Sequence, residues 1–470
     1  MKYDYDLICI GLGPAGMAVS IMSSNMGLSV CAIEKEKIGG ECMNVGCIPS
    51  KALLRIAKTR NTFNKLKEYE LRGSAMPRIG SPFEKIKKDL DYIGDKKTLK
   101  MFEKVDLILA KGSAEFVDEH TVKVNDKTVT AKRIFICTGT KPLVPDFAGI
   151  ADIDYLTNEN IFSLKEVPKS MIIMGGGAIA SEMAQAFVRL GTKITMVIRG
   201  PKLMRKFDDE TVKVVEDKFE KEGLTILRET TVKQFSKKDN QVILETEQGT
   251  TITAEKVLLA LGRKMDFSAL KLENAKIKHT KKGIIVNKNL RTSQSNIYAC
   301  GDCNGYAMFS HAAMHQGMLA LMNSMAKWPI KFNYKNYVVP WTVFTEPQIS
   351  FVGMTETELK AKGKRYKEIK IKYEDYGAAI AENVTDGFLK AFISPFGKIY
   401  GIYIVGEGSG EMINEWALAI QKKIKIYDIM FLQHSFPTMG FLTKRVSEEW
   451  MMQNMKSNFL KKICSFMFRL

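Results

Sequence analysis

Tyr5-Asp6-Leu7-Ile8-Cys9-Ile10-Gly11-Leu12-Gly13-Pro14-Ala15-Gly16 is the stretch from which the fold is read. It is a short apolar run that ends in three glycines spaced Gly-x-Gly-x-x-Gly. Behind it, MAVSIMSSNMG has helical spacing, and SVCAIE is a second apolar run ending in Glu34. Strand, glycine turn, helix, strand and terminal acid is the order of a dinucleotide cradle. Gly11 allows the tight turn, Gly13 lets a pyrophosphate approach the backbone, and Gly16 lets helix and strand pack closely. Glu34, about twenty residues on, is placed to meet a ribose hydroxyl.

The pattern recurs. Met171-Ile172-Ile173-Met174 leads into Gly175-Gly176-Gly177-Ala178-Ile179-Ala180, then a helical run and the strand KITMVIR. Ala180 takes the third glycine's place, which the pattern permits. Where an acid would favour NAD, the chain has Ile198 and Arg199, with Arg205 nearby. An arginine there suits a 2′-phosphate, so NADPH is the expected reductant, with NADH as the alternative.

Between the two fingerprints lies Gly39-Gly40-Glu41-Cys42-Met43-Asn44-Val45-Gly46-Cys47-Ile48-Pro49-Ser50-Lys51. Pro49 and the run KALLRIAKT put Cys47 near the start of a helix. Exposed amides and the helix dipole favour a thiolate there. Two nucleotide sites beside a dithiol describe an electron route from one nucleotide through another to sulfur.

Of the other cysteines, Cys9, Cys31 and Cys137 lie in apolar strand-like runs and read as small core residues. Cys300 and Cys303 spell Cys-x-x-Cys in IYACGDCNG. That is either a second redox pair, half a zinc site without a matching half, or structure. No apolar run approaches a membrane span, and the N-terminus lacks the features of a signal peptide, so a cytoplasmic protein is expected. There a disulfide framework is improbable. The net charge of +18 comes from lysines spread along 470 residues rather than gathered in a motif, which argues against nucleic acid.

From Arg55 to Lys104 the pattern is polar and helical. Val105 to Lys132 reads as short antiparallel strands with turns at Asp118-Glu119 and Asn125-Asp126, and RIFICTGTKP follows as a buried strand. KVLLALGRK closes the second nucleotide unit. IYACGDCNG returns to a strand ending in Gly301-Asp302, where the aspartate can meet a cofactor hydroxyl. After a basic linker around Lys327 to Lys335, VPWTVFTEPQISFVG, FLKAFI and KIYGIYIVG read as an antiparallel sheet. EMINEWALAIQ is an amphipathic helix presenting Met412, Ile413, Trp416, Ala417 and Ile420. In the tail, from Trp450 on, Met451, Met455, Phe459, Ile463 and Met467 recur at helical spacing among Lys456, Lys461, Lys462 and Arg469. That suits a helix packed on its own dimer or, less well, one touching a membrane surface.

Both fingerprints, the Cys42/Cys47 motif, Thr138-Gly139-Thr140, Ala260-Leu261-Gly262-Arg263 and Gly301-Asp302 stand in one order. That order resembles the flavoprotein disulfide reductases, the family of lipoamide dehydrogenase, glutathione reductase and mercuric reductase. The resemblance implies an α/β fold with two Rossmann-like domains, for FAD and NAD(P), and a C-terminal α+β dimerisation domain. FAD would occupy residues 1–145 and 266–328, NAD(P)H 146–265, and a homodimer would form through 333–450, with 451–470 as an amphipathic tail. Gly11, Gly13, Gly16, Glu34, Lys51, Thr138, Gly139 and Asp302 resemble FAD contacts. Gly175, Gly177, Ala180, Arg199, Arg205 and Gly262 resemble NAD(P) contacts. Cys47 is implied as the flavin-side thiolate, Cys42 as the interchange thiol, and Lys51 and Glu182 as the pair beside the flavin. Ala178 stands where some members carry a tyrosine over the nicotinamide pocket.

The chain departs from the family at Gln433-His434-Ser435-Phe436-Pro437-Thr438-Met439-Gly440-Phe441. Phe436 occupies the catalytic histidine's position and Phe441 that of its glutamate, and phenylalanine moves no protons. His434 is the candidate displaced base; His311 and His315 read as structural. Mercuric reductases also lack the histidine, but carry paired C-terminal cysteines where this tail has Cys464 alone. The expected activity is NAD(P)H oxidation through FAD and Cys42–Cys47 to an unidentified acceptor: a disulfide, a thiol-linked partner or a metal ion. The rival reading is a flavoprotein sensor or partner-binding subunit that turns nothing over.

Overall fold

The computed structural model describes residues 2–73, 75–326, 331–456 and 458–469. It divides into two compact units. One comprises Met1–Lys65, Gly73–Pro201 and Thr225–Asn336; the other comprises Leu66–Arg72, Lys202–Leu224 and Tyr337–Leu470.

In the first unit, β1 (Tyr5–Ile10), α1 (Pro14–Asn25) and β2 (Val30–Glu34) follow the sequence reading closely. α2 (Gly40–Asn44), α3 (Cys47–Thr62) and α4 (Pro82–Asp91) come next, and then β3 (Asp106–Leu109), β4 (Glu115–Phe116), β5 (Thr121–Val124) and β6 (Lys127–Ile136). The sheet runs β3-β2-β1-β6-β5-β4, and β19 (Ile297–Ala299) pairs with β6. The β2–β3, β1–β2, β1–β6 and β6–β19 pairs are parallel, whereas β4–β5 and β5–β6 are antiparallel.

Two expectations are corrected here. Asp106–Leu109, expected in an antiparallel group, joins β2 in parallel, because it extends this sheet at its edge. Residues 127–132 are not a separate hairpin strand: they begin the ten-residue β6, whose first half pairs with β5 and whose second half lies beside β1. The core under this sheet is aliphatic, with Ile8, Val122, Ile134, Ile136 and Ile297 fully buried. Each such side chain contributes about 1.5–3 kcal/mol of transfer free energy.

Two crossings, β7 (Lys141–Pro142) and β16 (Arg263–Lys264), pair antiparallel and flank the region of the second glycine turn. Its sheet is wholly parallel, in the order β11-β10-β9-β15-β8: Thr225–Leu227, Lys193–Val197, Ser170–Met174, Lys256–Leu259 and Tyr155–Leu156. α5 (Ala178–Arg189) follows the second glycine turn. β12 (Val232–Lys238), β13 (Gln241–Thr246) and β14 (Thr251–Ala254) form an antiparallel meander, and β17 (His279–Thr280) and β18 (Gly283–Ile284) a short hairpin. α7 (Ser310–Met325) returns over α1, and a Cβ on Gly317 would come 2.5 Å from the Ala15 carbonyl oxygen. The two helices therefore touch backbone to backbone.

The second unit is built on a five-stranded antiparallel sheet, β20-β21-β24-β23-β22: Trp341–Val343, Ile349–Gly353, Ile399–Val405, Phe388–Ile393 and Lys367–Lys372. Short helices α8 (Glu356–Ala361) and α9 (Gly377–Ala381) lie between its strands in sequence. α10 (Ser409–Lys422) buries Met412, Ile413, Trp416 and Ala419 against the sheet, with Ala417 and Ile420 partly covered, and α11 (Ile426–Phe431) follows. α6 (Asp209–Lys221) also belongs to this unit. Lys390, on the interior strand β23, is buried with its ammonium 2.9 Å from Asp208 and 3.5 Å from Glu210. It also lies over the rings of Phe388 and Tyr403. A buried lysine needs such partners.

α12 (Phe441–Met455) ends before Ser457, which lies outside the described residues, and α13 (Asn458–Phe468) follows. Trp450 is buried, whereas Ile463, Met467 and Phe468 are exposed; Phe459 falls outside the described side chains. The expected basic linker falls partly on residues 327–330, also outside the described residues. No helix among the described residues is long and apolar enough to cross a membrane.

Candidate active site

The dithiol loop is tied to the first glycine turn. The Gly39 amide donates to the Leu12 carbonyl at 2.8 Å, and a Cβ on Gly40 would come 2.9 Å from Gly13 Cα. The loop then forms α2, which carries Cys42; Asn44 braces it by donating to the carbonyls of Ile38 and Gly40. Cys47 is the first residue of α3, as its sequence context implied. Both cysteines are free thiols and partly buried.

Their acidities are pushed apart. The hydrogen bond from Cys42 brings Cys47 down to about 6 against the opposing effect of burial, helped by the Ser310 hydroxyl and the Lys51 ammonium. Cys42, as the donor in that bond and itself buried, is raised well above the ordinary thiol range. The thiolate is therefore favoured on Cys47 and the proton on Cys42. Ser310, the first residue of α7, places its Oγ 3.2 Å from Cys47 Sγ. Sequence reading missed this contact, since 263 residues separate the two.

Lys51 follows Cys47 by one helical turn, so the two share a face of α3. Its Nζ lies 2.8 Å from Glu182 Oε2 on α5, and the Glu182 side chain is only 6% exposed. The structure thus brings Cys42, Cys47, Lys51 and Glu182 together. Arg263, on β16, entered the sequence reading only as part of a motif. It donates to Thr140 Oγ1 at 2.9 Å, to the Thr140 carbonyl at 3.0 Å and to Asn158 at 3.3 Å, and it pairs with Glu41 beside Cys42. Burial nonetheless raises the Glu41 carboxyl, with Arg263 acting in the opposite direction.

The residues of the first cradle fit FAD. Gly13 and Gly139 face open space, where a Cβ would meet nothing within 4 Å. Glu34 is oriented by the amides of Leu12 and Glu36 at 2.8 and 2.9 Å, leaving acceptor capacity for ribose hydroxyls. Asp302 follows β19 at the same edge, and burial pushes it up to about 6. A desolvated carboxylate of this kind is completed by hydroxyl donors from a ligand. Thr138 and Gly139 follow β6 after Cys137.

The second cradle repeats the backbone device. Gly175 has φ +118°, and a Cβ there would come 2.4 Å from the Ala260 oxygen; Gly177 and Gly262 face open space. Ala180 is buried on α5. Arg199 is exposed after β10 in the first unit, and Arg205 is exposed in the second unit.

Cys9, Cys31, Cys137, Cys300 and Cys303 are packed away from solvent, whereas Cys464 in the tail is exposed. Burial holds Cys303 up to about 12, and its thiol donates to the carbonyls of Ile136 and Cys300 at 3.4 and 3.3 Å. No group of three or more His, Cys, Asp or Glu side chains among the described residues could hold a metal ion. In the second unit, Phe436 is 71% exposed and meets Phe441 edge to face at 5.3 Å. The His434 side chain is buried, with Nε2 3.0 Å from Glu415 Oε1 and no partner on Nδ1 among the described residues.

Two dinucleotide cradles and a polarised dithiol, with Cys47 at a helix start, define a flavin- and pyridine-nucleotide-dependent enzyme acting on sulfur. The chain belongs to the pyridine nucleotide-disulphide oxidoreductase family, whose model matches residues 5–317; the family's dimerisation domain matches residues 339–445. The family binds FAD and uses NAD(P)H. The chain is 32% identical over 432 residues to mercuric reductase of Staphylococcus aureus, covering 91% of this chain and 79% of that protein. It is 31% identical over 459 residues to dihydrolipoyl dehydrogenase of Bacillus subtilis, covering 94% and 96%. Its fold matches the HOCl-induced flavoprotein disulfide reductase RclA from Escherichia coli with a TM-score of 0.85 at 24% identity, over 95% of this chain and 100% of that one.

Proposed function

We propose that this enzyme is a homodimeric oxidoreductase that delivers electrons from NADPH, through FAD and Cys42–Cys47, to an acceptor requiring no enzyme-borne proton shuttle, with a thiophilic metal ion as the best-fitting class. The carrying observation is the Phe436–Phe441 aromatic pair, which stands where the family resemblance places a histidine and a glutamate. When bound, FAD supplies a relay between a two-electron hydride donor and the dithiol. Gly11, Gly13, Gly16, Glu34, Thr138, Gly139 and Asp302 would hold it, with Lys51 and Glu182 nearby. Gly175, Gly177, Ala180 and Gly262 would hold the nicotinamide nucleotide, and Arg199 would select its 2′-phosphate.

A disulfide acceptor releases a thiolate that must gain a proton, so a nearby acid speeds the step. A soft metal ion bound by Cys42 and Cys47 needs only thiolates. The dithiol already carries one of them, and metal binding drives the second proton off. Mercuric reductase among the relatives supports this class. The test is anaerobic NADPH oxidation with Hg(II) or Cu(II) under excess small thiol, set against lipoamide and glutathione disulfide. Metal-dependent oxidation that Cys42→Ser abolishes is expected; vigorous disulfide turnover with none for either metal would overturn the proposal.

A second reading rests on the His434–Glu415 pair, which has the composition of an acid–base dyad. If His434 serves disulfide exchange, His434→Gln lowers lipoamide turnover by roughly 10²-fold or more. Turnover that survives this change excludes it.

A further inference from the structure

We propose that Ser310 is a catalytic residue of this site: its hydroxyl donates to the Cys47 thiolate and fixes the negative charge of the reduced dithiol on the inner sulfur. The inference rests on reading Cys42 and Cys47 as the redox pair.

The geometry has three parts. Ser310 Oγ is 3.2 Å from Cys47 Sγ, within hydrogen-bond reach of sulfur. Once Cys47 has lost its proton it can only accept, so the hydroxyl must be the donor. Ser310 opens the 16-residue α7 and Cys47 opens the 16-residue α3. The thiolate therefore sits where the positive ends of two helices meet.

The placement of Ser310 is also rigid. Seven residues further along α7, Gly317 meets the Ala15 backbone so closely that no Cβ fits. Gln316 accepts hydrogen bonds from the Gly301 amide at 2.9 Å and from Asn304 at 2.6 Å. These contacts lock α7 to α1 and to the loop bearing Asp302.

A compensating donor has a chemical rationale here. In a site with a histidine–glutamate pair, an imidazolium can steady the thiolate. The second unit of this chain has Phe436 and Phe441 at those positions. A fixed neutral hydroxyl and two helix ends steady the thiolate without moving a proton. The dithiol is then asymmetric before any acceptor arrives: Cys47 holds the charge, and Cys42 is the outer thiol available for exchange or metal capture.

The test uses the FAD-loaded enzyme in a Cys42→Ser background, so that Cys47 is the only thiol of the pair. Its alkylation by iodoacetamide is followed against pH and located by mass spectrometry. Ser310→Val and Ser310→Thr are compared, since they match in shape and differ in the hydroxyl. Loss of one charge-assisted hydrogen bond raises the Cys47 midpoint by roughly one pH unit in Ser310→Val. On the acidic side of the curve, the alkylation rate then falls about tenfold. Ser310→Thr retains the midpoint of the Cys42→Ser parent. Equal midpoints in the Ser310→Val and Ser310→Thr proteins would overturn the proposal. If Ser310→Val prevents FAD binding, Ser310→Ala takes its place in the comparison, with the same two outcomes. Failure of the redox-pair reading would appear elsewhere: the unsubstituted enzyme would show no thiolate-to-flavin absorbance on partial reduction.

Discussion

The Lys51–Glu182 pair makes the most quantitative demand on the first unit. The Glu182 side chain is 6% exposed and its carboxylate lies 2.8 Å from the Lys51 ammonium, which is itself about one-third exposed. At that distance the Coulomb attraction is about 6 kcal/mol at an effective dielectric of about 20, most of it offset by the cost of desolvating both groups. Lys51→Met removes the cation but leaves the buried anion, at a cost of about 3–5 kcal/mol. Both residues have further partners, which places the expectation toward the lower end. In a cooperative unit of about 300 residues, that corresponds to a fall in Tm of about 5–8 °C. Glu182→Gln keeps a hydrogen-bonding side chain and costs less, about 1–3 kcal/mol. The assay is a double-mutant cycle by scanning calorimetry with saturating FAD, so that cofactor loss does not enter. The Lys51→Met/Glu182→Gln protein should be more stable than the sum of the single losses by about 1–3 kcal/mol. Additivity within about 0.5 kcal/mol would refute the pairing, because independent sites add.

Four further outcomes follow from the same structure. Gly11→Ala places a Cβ 2.6 Å from the Cys137 carbonyl at φ +91°, so the purified protein should lose most of its bound flavin, read from its visible absorbance. In the second unit, Lys390→Ala uncovers Asp208 and Glu210 and should cost about 3 kcal/mol, whereas Lys390→Met should cost clearly less because it refills the apolar space over Phe388. The Asp208 carboxyl is subject to an upward push from burial, yet Lys390 and Thr211 hold it below its ordinary value of 3.8. Its contribution is therefore present above that value and is lost as pH falls through the lower folded value, so acid unfolding should begin at higher pH in Lys390→Met. Phe436→His combined with Phe441→Glu restores an acid–base pair and should raise lipoamide turnover by roughly 10²-fold or more. No gain would show that the aromatic pair does not limit disulfide exchange.

The parts of this protein that are local in sequence were legible. Gly11, Gly13, Gly16 and Glu34 fall within one strand–helix–strand run, and Cys47 precedes a proline and a helical pattern. Their roles depend on neighbours that the sequence places beside them. What remained hidden depends on distance along the chain. The Ser310–Cys47 contact spans 263 residues and Arg263–Glu41 spans 222, so neither leaves a periodic trace. The same reason explains the misreading of Asp106–Leu109: four residues fix a strand, but the sheet order decides its direction. The aromatic pair at Phe436 and Phe441 was visible only against the family's pattern, because nothing in a Phe-Pro-Thr sequence marks a missing base.

The central claim is that electrons reach the acceptor through Cys42 and Cys47, with the charge held on Cys47. An anaerobic NADPH titration of the purified yellow protein tests it most directly. The account predicts a long-wavelength thiolate-to-flavin absorbance before full flavin reduction. That band should fade as pH falls through about 6, the region to which Cys47 is brought, because the thiolate is protonated there, and it should be absent in Cys47→Ser. Flavin that bleaches directly, with no such band at any pH, would contradict it.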